Sequence, residues 1–144
     1  MTSSNRFVTH VVENQPTVPA PYNLWRNDAL LRLLVNHHLP SSHQHDEGLL
    51  DKYGQLAGDT LMVHGELANK NKPTLHTFDR YGRRTDNVEF HPSYHALMES
   101  AMQHNVHNYS WTHEGVKGAH TVRAALMYMH YQAEPGTSCP RTMT

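Results

Sequence analysis

Fourteen histidines in a chain of 144 residues are its loudest chemical feature. His91 and His95 lie four apart at the start of a helical pattern, so both rings share one side of that helix. His37 adjoins His38, and only Gln44 separates His43 from His45. Such density raises the question of a metal. A structural zinc site wants four nitrogen or sulfur ligands, and a catalytic one wants three plus water. The chain has no H-E-x-x-H, no C-x-x-C and no nearby carboxylate to complete a set, so no metal is expected. His91, just ahead of Pro92 at a helix start, suits capping or a backbone hydrogen bond instead. Arg80, Arg83 and Arg84 form a basic cluster that suits a phosphate contact or, more commonly, a solvated ion-paired turn. Cys139 is the one thiol. A reactive thiolate needs a helix N-terminus or a positioned histidine, nothing adjacent supplies either, and lone cysteines are usually small buried hydrophobes. No G-x-S-x-G, P-loop or G-x-G-x-x-G is present. Spacing alone yields no catalytic residue.

Composition narrows the classes further. Twelve basic against 13 acidic residues leave a net charge of −1, which offers no field for nucleic acid or an anionic membrane. No run approaches the ~20 apolar residues of a membrane span, and the N-terminus leads into no apolar signal core. One cysteine cannot build a disulfide framework, so a reducing, cytoplasmic setting is expected. The length suits one domain.

The elements that would position these residues follow from pattern. Pro16, Pro19 and Pro21 make residues 1–22 an extended arm rather than a helix. Residues 23–144 read as a helical domain. A first helix spans residues 28–38, capped by Asn27 and stopped by Pro40, and its leucines cover more than one face, which predicts burial on most sides. A second begins near Asp46; Gly58 interrupts it, and Asp59 caps a third that ends at Asn69, Asn71 and Pro73. Residues 74–90 switch to a hairpin pattern with Gly82 in the loop. Pro92 then opens a helix whose stripe is Tyr94, Leu97, Met98, Ala101 and Met102. The last helix spans residues 116–134 and is broken by Pro135 and Gly136, leaving an irregular tail.

Several segments together resemble the AidB-type, adaptive-response branch of the acyl-CoA dehydrogenase family. Thr9-His10-Val11-Val12-Glu13-Asn14-Gln15-Pro16 is similar to its opening T-H-x-V-x-N-Q-P, followed by Tyr22-Asn23-Leu24. Glu66-Leu67-Ala68-Asn69-Lys70-Asn71-Lys72-Pro73 resembles E-L-A-N-x-N-x-P. Asp79 with Gly82-Arg83-Arg84, then Val88-Glu89-Phe90-His91-Pro92 and His95-Ala96-Leu97-Met98, resemble D-x-x-G-R-R, V-x-F-H-P and H-x-L-M. Glu134, Gly136, Cys139-Pro140 and Thr142-Met143-Thr144 resemble V-E-A-G-x-x-C-P-x-T-M-T, with Pro135 in place of the alanine.

The resemblance implies a fold class: mainly α, the helical N-terminal domain of an acyl-CoA dehydrogenase-like fold with one inserted β-hairpin and an extended arm. It also implies a longer flavoprotein. FAD, the catalytic glutamate and further flavin and C-terminal domains would belong to the complete protein, with acyl-CoA as substrate and a role in the response to DNA alkylation. This chain alone is expected to hold no cofactor and to contact no nucleic acid. Its partners would be the downstream flavin domain, in the same chain or a split partner, and further copies in a homo-oligomer, a tetramer by the resemblance. Cys139, Thr142 and Met143 would line the substrate channel, or merely connect domains. The competing reading is a non-catalytic fragment that acts only as an interaction or oligomerisation module.

Overall fold

The computed structural model describes residues 13–17, 20–39 and 46–137. Helices dominate, with one antiparallel hairpin inserted between them. Mainly α with a hairpin is the class the sequence predicts, and it is what the chain adopts.

The chain enters the body through Asn23. Its side-chain oxygen accepts from the backbone N–H groups of Trp25 and Arg26 (2.9 and 3.0 Å), capping a short helix, α1 (Leu24–Asn27). The same side chain donates to the backbone oxygen of Asp51 (3.0 Å) and to its carboxylate (3.1 Å), while Arg26 grips that carboxylate through two nitrogens at 2.6 and 2.7 Å. α2 (Ala29–His38) follows at once, with Asp28 accepting from Leu31 N–H at 2.8 Å. The cap is therefore Asp28, not Asn27, because Asn27 closes α1 instead.

The expected break at Gly58 does not occur. α3 (Asp46–Leu56), a π-helical stretch (Ala57–Leu61) and α4 (Met62–Lys70) run on as one rod. Asp59 caps nothing. Gly58 serves a different purpose: a Cβ there would sit 1.7 Å from the carbonyl oxygen of Tyr22, whose N–H donates to Gly58 O at 3.3 Å. The missing side chain lets the entering strand of backbone lie directly on the rod.

β1 (Thr74–Phe78) and β2 (Arg84–Glu89) pair antiparallel, Leu75 facing Val88, with a register shift between His76 and Phe78. Asp79 closes the loop by accepting from the N–H groups of Tyr81 and Arg83, and Gly82 takes the left-handed φ of +76° that the turn needs. α5 (Pro92–Gln103) starts as expected, with Pro92 in its first turn and His91 Nδ1 accepting from Ser93 N–H at 3.2 Å. A short helix, α6 (Tyr109–Thr112), lies in a stretch without a periodic apolar pattern. α7 (Ala119–Ala133) begins three residues later than expected, because Gly118 adopts φ +98° and ends the preceding loop.

The core forms where the rod, α5 and α7 meet. Leu50, Tyr53, Ala57 and Leu61 face Leu97, Ala101, Val122, Leu126 and Met129, with Leu24 and Trp25 closing one end. α2 is the exception to the expected burial. Only Val35 is buried on it, because α2 meets the body through one stripe against α1 and α7. Leu30, Leu33 and Leu34 remain 65, 66 and 51% exposed.

Candidate functional site

Two of those outward leucines, Leu30 and Leu34, border a largely apolar cleft. Leu30, Leu31, Leu34 and Val35 of α2 face Thr121, Ala124, Ala125 and Tyr128 of α7 across a cleft of about 580 Å³. Ala124 and Tyr128 also wall a second cleft, about 350 Å³, with Val106, Met127 and Tyr131. Helical spacing explains the continuity: 124, 128 and 131 share one face of α7, opposite the buried 122, 126 and 129. Tyr128 and Tyr131 are about half exposed. An exposed apolar face of this kind is uncommon on a self-sufficient monomer and marks a surface that takes hydrocarbon or another protein face.

Beneath the second cleft lies a buried polar pair. Tyr53 of α3 and His130 of α7 join through Tyr53 OH and His130 Nδ1 at 2.5 Å, 77 residues apart in sequence. His104 stacks obliquely on the Tyr53 ring, 5.1 Å between centroids. The pair ties the rod to α7 and orients the wall above it.

The far end of α7 is anchored by Glu134, only 2% exposed. Its carboxylate accepts from Gly136 N–H (2.8 Å), from Thr137 N–H and from Asn69 Nδ2 (3.3 Å). Burial pushes its pKa up, but the hydrogen bonds from Thr137, Gly136 and Asn69 outweigh this and hold it below the ordinary value. Gly65, one turn before Asn69, has no side chain because a Cβ there would meet Ala133 O at 2.6 Å. Thus Gly65 and Asn69 on α4 receive Glu134, and a new helical turn begins at residues 135–137, with Pro135 at a first-turn position. Beyond it, Cys139, Thr142 and Met143 lie outside the described residues.

The other chemical candidates resolve into structure. His91 is a cap, and His95 packs its ring near Phe90. His37 and His38 meet edge to face at 5.0 Å, while His43 and His45 lie outside the described residues. Arg83 pairs with Asp79 and Arg84 with Asp86, at 2.8 and 2.7 Å, and Arg80 lies over the Tyr81 ring. Among the described residues no group of three or more His, Cys, Asp or Glu side chains is placed to hold a metal. Sequence reasoning missed Tyr53, His130 and the role of Glu134. Only Glu134 carried a signal, an acid immediately before a proline at a helix start.

Neither apolar cleft fits a flavin dinucleotide. Their linings are mainly aliphatic and aromatic, and the one carboxylate present, Asp28, would repel a pyrophosphate. Hydrocarbon suits them better.

The fold is that of the helical N-terminal part of acyl-CoA dehydrogenase-type proteins. It superimposes on the apo form of Bd2924 with a TM-score of 0.81 at 21% identity, covering 91% of this chain and 26% of that one. It also matches Caenorhabditis elegans ACDH-11, solved in complex with C11-CoA, with a TM-score of 0.78 at 19% identity, covering 96% and 24%. Residues 14–144 match the adaptive response protein AidB N-terminal domain, and the chain belongs to that family. It is 39% identical over 137 residues to the putative acyl-CoA dehydrogenase AidB of Escherichia coli (strain K12), covering 94% of this chain. The chain spans 25% of that relative's length. No helix among the described residues is long and apolar enough to cross a membrane.

Proposed function

We propose that the chain is the N-terminal portion of an AidB-like acyl-CoA dehydrogenase flavoprotein, an FAD-dependent acyl-CoA oxidoreductase that serves the response to DNA alkylation. The observation that carries this reading is the apolar face of α2 and α7 in a chain of this family. Flavin dehydrogenation needs a dry, shaped enclosure, and the flavin supplies the redox chemistry when bound. The residues of this chain supply the wall. Leu30, Leu34, Ala124 and Tyr128 exclude water and cover apolar surface of the substrate or of the downstream flavin domain. Glu134, held by Asn69, sends the tail toward that domain, where Cys139, Thr142 and Met143 line the channel. On this reading residues 1–22 are an arm over a neighbouring domain or subunit, residues 23–144 are the helical domain, and the complete protein is a cytoplasmic homo-oligomer, a tetramer.

The test is to purify the protein from its source, measure its intact mass and visible absorbance, and add acyl-CoA without oxygen. The expected result is a longer chain, or this chain with a flavin-bearing partner, whose flavin absorbance falls on acyl-CoA addition. A lone 144-residue chain without flavin overturns the enzyme reading. A second reading, a non-catalytic interaction or oligomerisation module, is favoured by the hairpin, where Leu75, Phe78, Tyr81 and Val88 are all exposed. An isolated two-stranded hairpin is marginal in water unless something packs on it.

A further inference from the structure

We draw no further inference here: the strongest candidate, the apolar cleft between α2 and α7 lined by Leu30, Leu34 and Tyr128, belongs to the site already described, and nothing in the structure shows which surface covers it.

Discussion

Glu134 fastens the end of α7 to α4 and to the turn at residues 135–137. Its buried carboxylate holds two backbone N–H groups and the Asn69 amide. Replacing it with alanine orphans all three donors and removes the cap of the turn at residues 135–137. Loss of the cap over Gly136 and Thr137 costs about 0.5–2 kcal/mol and the unpaired Asn69 amide adds about 1–2 kcal/mol, so Glu134→Ala should cost about 1.5–4 kcal/mol. At roughly 3 °C per kcal/mol for a chain of this size, Tm should fall by about 5–12 °C. Glu134→Gln keeps one acceptor but sets an amide NH₂ against an N–H, so it should lose about 1–2 kcal/mol.

The pH dependence has a definite sign. The folded-state pKa of Glu134 lies below its ordinary value of 4.5, so the stabilisation is complete above that value and is lost as pH falls through the folded pKa. The gap between wild type and Glu134→Gln should therefore be full at neutral pH and close progressively in acid. Urea denaturation at a series of pH values, with amide exchange at Gly136 and Thr137, reads both effects. An alanine variant within about 0.5 kcal/mol of wild type, or a gap that widens in acid, would refute the reasoning.

Three further substitutions probe other joints. Gly58→Ala must displace the Tyr22 carbonyl and should cost about 2–4 kcal/mol in denaturant unfolding; a cost under about 1 kcal/mol would mean the entering backbone does not lie on the rod. Tyr53→Phe removes the buried bond to His130 and should cost about 1–3 kcal/mol, with the His130 ring signals shifting in NMR. Leu30→Asp changes an exposed side chain, so the stability of the isolated chain should stay within about 0.5 kcal/mol while binding of a hydrophobic dye drops. Unchanged dye binding would show that the α2 face is not the apolar surface of the molecule.

The sequence exposes those parts of the fold that are written locally. Pro92 with His91, the loop glycine Gly82, and the stop at Asn71 are read directly, because each works through its own backbone. α2 misleads. Its leucines signal burial, yet the surface that would bury them is not among the described residues, so Leu30 and Leu33 face outward. Gly58 misleads for the opposite reason: a glycine in a helical pattern reads as a break, and only the approach of Tyr22, distant in sequence, gives it another cause. The Tyr53–His130 pair carries no local signal, since it spans 77 residues.

Several of the described residues on which the family resemblance rests are joints between elements. Asn23 fastens the entry to α3 through Asp51, Asp79 and Gly82 close the hairpin, His91 and Pro92 start α5, and Asn69 receives Glu134. Each joint fixes the direction in which the chain leaves an element. The last of them joins elements far apart in sequence: Gly65 and Asn69 on α4 receive Glu134, the residue that ends α7. Among the described residues the prominent polar groups therefore fix how elements meet: the histidines assemble no metal cluster, and a glutamate lies buried where α7 ends.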